Sequence, residues 1–157
     1  MDWSQRDAYG IPVANYSHHQ GNFPQWAEDL AVRMLEDGLV SATPNHVHIT
    51  RYKLGKGIPP HIDAVHSGGM TFGAEIAALA LRSSRVLEIT PKRGRRRLRA
   101  LLFPGDVYVI LGDLRYTWEH GIPDTEVDVF RGRSYLRSDA ISATWRVLSS
   151  RGDIPEP

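Results

Sequence analysis

The spacing of apolar and polar positions changes period once along the chain. Between residues 24 and 37, Trp26, Leu30 and Met34 recur every four residues beside Ala27, Ala31 and Leu35, the spacing of one helix face. Pro24 suits a first helical position and Gly38 offers a left-handed stop, so a helix is predicted over 24–37. Beyond Gly38 the period falls to two. Val47, Ile49 and Arg51 alternate with His46, His48, Thr50 and Tyr52, as on a strand. Further strands are predicted over 74–81, 86–90, 98–103, 106–112 and 141–148. Turn signals separate them at Gly55-Lys56-Gly57, Ser67-Gly68-Gly69, Lys92-Arg93-Gly94, Pro104-Gly105 and Gly132. Residues 1–22 read as polar and irregular, punctuated by Trp3, Tyr9 and Tyr16, and residues 150–157 read as a tail. Many short strands after one helix predict a mainly β domain over 1–149, a sandwich or barrel with helical support.

Composition narrows what that domain can do. At 157 residues it is one unit with room for a core, and 41% apolar with 24% charged residues is ordinary for a globular protein. A net charge of +1 leaves no global field towards nucleic acid or membrane, so any such attraction is local. The absence of cysteine excludes disulfides, zinc-thiolate sites, iron–sulfur clusters and thiol nucleophiles. No apolar run approaches the ~20 residues needed to span a bilayer, and the N-terminus lacks a signal-peptide layout. The expectation is a cytoplasmic protein with no membrane partner.

Candidate chemistry centres on His61-Ile62-Asp63. On a strand, residues i and i+2 share a face, so an imidazole and a carboxylate would project side by side. A third ligand must come from elsewhere, and His120 in Trp118-Glu119-His120-Gly121-Ile122 is the best candidate. Two histidines and a carboxylate make a facial triad that leaves open metal positions, whereas zinc tends to close a tetrahedron with a further ligand. His61, Asp63 and His66 could instead form a compact zinc-type cluster, although the turn at Ser67-Gly68-Gly69 favours a solvent-facing His66. His18-His19 reads as a solvated loop, and His46 and His48 as a half-buried pair on one strand face.

Three blocks surround these residues in order. The first runs from Arg51-Tyr52-Lys53-Leu54-Gly55-Lys56-Gly57 through Ile58-Pro59-Pro60-His61-Ile62-Asp63; the second spans Pro104-Gly105-Asp106 to Trp118-Glu119-His120-Gly121-Ile122-Pro123; the third is Ile141-Ser142-Ala143-Thr144-Trp145-Arg146. Together they resemble the AlkB-like family of Fe(II)- and 2-oxoglutarate-dependent dioxygenases, with the closest likeness to the branch containing a tRNA wobble-uridine hydroxylase. The likeness runs from about Tyr9 to Leu148. It implies a double-stranded β-helix, a cupin-like jelly-roll, with one supporting N-terminal helix. It also implies Fe(II), 2-oxoglutarate and dioxygen as cofactors, and His61, Asp63 and His120 as iron ligands. Arg146 then corresponds to the arginine at the C1 end of the co-substrate, and Tyr52 and Ser142 to residues that hold it, Tyr52 at the C5 carboxylate. Arginine forks and hydroxyls suit that anchoring.

The chain departs from the family pattern at three places. Where a second arginine usually grips the distal carboxylate stands Ala140, where an asparagine precedes the tyrosine stands Thr50, and where repair members carry a second acid stands Val65. Arg137, Arg133 or another nearby cation is expected to take over the distal anchor; the alternative is weakened binding, another oxo-acid, or a non-catalytic metal-binding module.

The expected reaction is hydroxylation or oxidative demethylation of a nucleobase in RNA or DNA, with an oxygenase of a small molecule or protein as the other catalytic reading. Tyr9 and Tyr16 are candidates for stacking on a base, against a plain core role. The run Lys92-Arg93-Gly94-Arg95-Arg96-Arg97-Leu98-Arg99 reads as a hairpin tip whose arginines could meet phosphates, against a solvated surface.

Overall fold

The computed structural model describes residues 3–92 and 96–150. In chain order its elements are β1 (Gln5–Arg6), β2 (Pro12–Ser17), α1 (Gln25–Glu36), β3 (His46–Tyr52), β4 (Ile58–His61), β5 (His66–Ser67) and β6 (Met70–Leu81). They continue with β7 (Arg85–Pro91), β8 (Leu98–Leu102), β9 (Val107–Ile110), α2 (Asp113–Tyr116), β10 (Trp118–Ile122), β11 (Val127–Phe130), β12 (Arg133–Leu136) and β13 (Ala140–Ser150). A large antiparallel sheet runs β1-β2-β3-β13-β6-β5, with β9 also paired to β6, and a smaller one runs β4-β10-β7-β8. The two face each other as a jelly-roll.

The period-two pattern explains the layering. On β3, Val47 and Ile49 point outward, and on β13 so do Ala143 and Trp145; with Ala77 of β6 they receive Ala27, Ala31 and Met34 of α1. Trp145 is 0% exposed, and its indole N–H donates to the Ala27 carbonyl at 3.0 Å. The helix therefore covers one face of the large sheet. It stops where expected, because Gly38 takes φ 69° and the Leu39 amide donates back to Met34. The alternate residues of the same strands point the other way, towards the small sheet. There Tyr52 and Ala140 pack on Leu87, Leu102 and Ile122 in a second core.

Two close approaches hold the small sheet against its neighbours. A Cβ on Gly57 would lie 1.8 Å from the Ile122 carbonyl oxygen, and one on Gly121 would lie 2.9 Å from the Pro60 nitrogen. Only glycine lets β4 and the turn before it sit this close to β10.

Five expectations change. Residues 1–22 are not irregular, because β1 and β2 extend the large sheet, with Val13 and Ala14 buried against it. Short apolar content and flanking Gly10 and Pro12 hid the strand. The Gly132 turn signal belongs to a hairpin, β11–β12, whose exposed Val129 and Leu136 lack a clean alternation. The short helix α2 precedes β10 without apolar periodicity. The His61–Asp63 pair does not lie on one strand: β4 ends at His61, and Asp63 follows in irregular backbone. Strand β13 includes Ser150, the first residue of the expected tail, and 151–157 lie outside the described residues.

Candidate metal centre and its cavity

Antiparallel pairing of β4 with β10 sets His61 directly opposite His120. Their rings lie 4.5 Å apart, centroid to centroid. Asp63 comes between them: its Oδ1 is 3.8 Å from His61 Nε2 and its Oδ2 is 3.7 Å from His120 Nε2. All three ligand atoms fall within 4.8 Å of one another, and among the described residues this is the metal-capable cluster. His66 is not part of it, since it is exposed and pairs with the Thr71 hydroxyl at 2.9 Å.

Each side chain is oriented for a cation. His61 Nδ1 sits 2.9 Å from the Pro59 carbonyl, which takes the ring proton there and leaves the Nε2 lone pair towards Asp63. Burial holds the His120 imidazole down at about 4, so it is neutral and able to ligate at pH 7. Burial alone would raise the Asp63 carboxyl, but Arg146, His120, His61 and Arg115 outweigh it and hold the pKa below the ordinary value. Arg146 Nη2 donates to Asp63 Oδ1 at 3.0 Å. Arg115 fixes the irregular backbone itself, donating to the Asp63 carbonyl at 2.7 Å and the Ala64 carbonyl at 3.0 Å. Nothing in the sequence marked Arg115, whose burial becomes apparent only once α2 folds beneath this segment.

The cluster opens onto a cavity of about 410 Å³ between the two sheets, large enough for a small dicarboxylate and part of a substrate. His46, His48, Thr50 and Tyr52 of β3 line it together with Ser142, Thr144 and Arg146 of β13. The histidines belong to the same wall as Thr50 and Tyr52, which the alternation on β3 already implied. His48 Nδ1 meets Asn15 Oδ1 at 2.7 Å, and burial first, with Arg146 adding, lowers both His46 and His48 to about 4. Tyr108 is a further wall residue beside Ser142, pushed up to about 12 by burial.

The two tyrosines proposed for substrate part company. Tyr9 lines the cavity, 47% exposed, with its ring 5.5 Å from that of His61. Tyr16 packs on the helix-side core and is not among the cavity-lining residues. Neither expected replacement for the missing arginine reaches the cavity. Arg137 is buried in a bidentate pair with Asp128, at 2.6 Å through Nη2, and also binds the Pro123 carbonyl at 2.7 Å. Arg133 is exposed on β12. Within the basic run, Arg97 and Arg99 pair with Glu88 at 3.1 and 3.3 Å, while 93–95 lie outside the described residues.

A jelly-roll with a two-histidine, one-carboxylate cluster at its mouth defines a class of non-haem metal oxygenase scaffold. A model of the 2OG-Fe(II) oxygenase superfamily matches residues 2–146, and the chain belongs to that superfamily. By family it is a dioxygenase using Fe(II), 2-oxoglutarate and dioxygen, and the oxygen- and nitrogen-donor set fits iron. An uncharacterized protein of Acanthamoeba polyphaga mimivirus is 28% identical over 87% of this chain and 60% of its own length. The tRNA (carboxymethyluridine(34)-5-O)-methyltransferase ALKBH8 of Mus musculus is 29% identical over 84% of this chain, but that covers only 19% of the relative. The mitochondrial alpha-ketoglutarate-dependent dioxygenase alkB homolog 7 of Bos taurus is 34% identical over 65% of this chain and 45% of its own. The chain is thus AlkB-like, and it spans between 19% and 60% of the length of these relatives. The fold of OsALKBH1 matches 80% of this chain and 66% of that one, with a TM-score of 0.57 at 12% identity. No helix among the described residues is long and apolar enough to cross a membrane.

Proposed function

We propose that this chain is an Fe(II)- and 2-oxoglutarate-dependent oxygenase that hydroxylates or oxidatively demethylates a nucleobase in RNA or DNA. His61, Asp63 and His120 are its metal ligands. The observation that carries this reading is the triad at the head of the cavity, with the half-exposed Tyr9 ring beside His61. When bound, Fe(II) with 2-oxoglutarate and dioxygen supplies an oxidant for a substrate C–H bond, the co-substrate leaving as succinate and carbon dioxide.

The residues of this chain do the positioning. Asp63 stays ionised because Arg146 and the two imidazoles surround it. Arg146 also presents an unpartnered Nε to the co-substrate's keto-acid end. Tyr9 supplies a face on which an unstacked base can rest. Similarity to a protein named for tRNA uridine-34 modification supports an RNA substrate. Exposed Lys92 and Arg96 supply phosphate contacts.

The test incubates the iron-loaded protein with 2-oxoglutarate and methylated or unmodified oligonucleotides. Succinate release stimulated by oligonucleotide, with formaldehyde or a hydroxylated base, is the expected result. Uncoupled succinate that no oligonucleotide stimulates would sink the nucleobase substrate and favour a small molecule or protein. That second reading draws on Arg97 and Arg99, whose two charges are offset in part by their shared partner Glu88.

A further inference from the structure

Past the metal, the cavity wall formed by Tyr52, Tyr108, Ile122 and Ser142 is shared with a smaller pocket. Its other side is made by Ala80, Ser83, Arg85, Leu102, Ala140 and Ile141. Ala140 is the position where the family resemblance calls for an arginine, and a methyl group there leaves room for another residue's guanidinium. Arg85 lines the same small pocket from the opposite sheet. It opens β7, shortly after the bend at Arg82-Ser83, and is only 4% exposed.

The state of this arginine is unusual. Nη1 donates to the Lys56 carbonyl at 3.1 Å and Nη2 to the Ser138 carbonyl at 2.8 Å. Nε is buried and has no partner. Among the described residues no carboxylate forms a salt bridge with Arg85, in contrast to Arg137, whose charge Asp128 neutralises. The guanidinium carbon stands 5.6 Å from the centre of the Tyr52 ring, within the same pocket. A buried cation without an anion is costly, and it is retained where an anion arrives. Two backbone carbonyls fix the fork beforehand, so little conformational freedom remains to be lost on binding.

We propose that Arg85 anchors the distal carboxylate of 2-oxoglutarate, supplying from β7 the guanidinium that Ala140 lacks on β13. This rests on the oxygenase reading above. Tyr52, whose ring lies beside it, completes the anchor with its hydroxyl. The anchor makes Arg85 a specificity residue: it selects a dicarboxylic oxo-acid over a monocarboxylic one of the same length.

The test measures binding without turnover. Fe(II)-loaded protein is titrated anaerobically with 2-oxoglutarate and with 2-oxopentanoate, which has a methyl group in place of the distal carboxylate, and the charge-transfer absorbance is read. Wild type should prefer 2-oxoglutarate by roughly tenfold to a hundredfold, the range of a charge-assisted hydrogen bond. Arg85→Gln should bring that ratio close to one while iron affinity holds. Ala140→Arg added to Arg85→Gln should restore it. A folded Arg85→Gln protein that keeps the wild-type preference overturns the assignment and leaves the oxygenase reading intact. Wild type that binds neither oxo-acid overturns both. A measurement on unaltered protein guards against a variant that fails to fold. With zinc in place of iron, the Arg85 Nε–H resonance should shift with 2-oxoglutarate and stay put with 2-oxopentanoate. Indifference to both ligands would overturn the proposal.

Discussion

Strands β3 and β13 carry two different proteins on their two faces. Outward, Val47, Ile49, Ala143 and Trp145 form a dry core with helix α1. Inward, one residue out of step, His46, His48, Thr50, Ser142, Thr144 and Arg146 form a polar wall of the cavity. The backbone ladder is common to both, pairing Thr50 with Ser142 and Val47 with Trp145. Stability and chemistry are therefore separated by a single step of the pleat, and a change on one face need not disturb the other.

The largest test of that separation sets one residue of each region against the other. Asp63→Ala removes the carboxylate of the candidate metal cluster and should lower Fe(II) affinity by at least about a hundredfold, since a lost ligand exceeds the loss typical of supporting groups. The metal-free chain should still unfold cooperatively. Trp145→Ala empties a fully buried site and should cost about 3–5 kcal/mol in denaturant unfolding, with metal affinity of the folded fraction unchanged. If Trp145→Ala instead weakened metal binding as much as Asp63→Ala does, the two faces would be coupled.

A smaller effect comes from acid. His46 and His48 are lowered to about 4 in the folded protein, against an ordinary value of 6.5. Between those values the unfolded chain binds protons that the folded chain refuses, so stability rises with pH across that window. Metal-free protein should lose on the order of a few kcal/mol from pH 6.5 to 4 on their account. Arg146 faces both rings and deepens the loss, whereas Asp63 opposes it at His48. Replacing both histidines with glutamine should flatten the slope, as read by urea unfolding at each pH.

The outer face was readable from sequence because apolar period two on β3 and period four on α1 are both strong. The cluster of His61, Asp63 and His120 was readable because the three stand in blocks with a family pattern. What escaped was set by tertiary packing. Arg115 acts on backbone carbonyls, a role any buried arginine can take without local signature. Arg137 looked available from its position beside the last block, yet Asp128, nine residues earlier in the chain, claims it through the β11–β12 hairpin. Tyr9 and Tyr16 looked equivalent, and only the placement of β2 against β3 turned one to the cavity and the other to the core. His46 and His48 were set apart from Thr50 and Tyr52 although all four share one alternation. There the pattern was present and the chemistry of histidine distracted from it.

The finest test uses neighbours on β13. Ser142 faces the cavity beside Tyr108, and Ala143 faces the helix-side core at 1% exposure. Ala143→Ser places a hydroxyl among Val47, Ile49 and Trp145, and burial without a partner should cost about 1–3 kcal/mol of stability. Co-substrate affinity should not change, because the added atom points away from the cavity. Ser142→Ala does the reverse. It removes one hydroxyl from the wall, so 2-oxoglutarate should bind a few-fold more weakly, the equivalent of roughly 1 kcal/mol, while stability stays nearly level. Unfolding curves and anaerobic titrations of the two variants separate the outcomes. If both lost stability and neither lost affinity, the inward face of β13 would be a second structural core and the co-substrate would be held elsewhere.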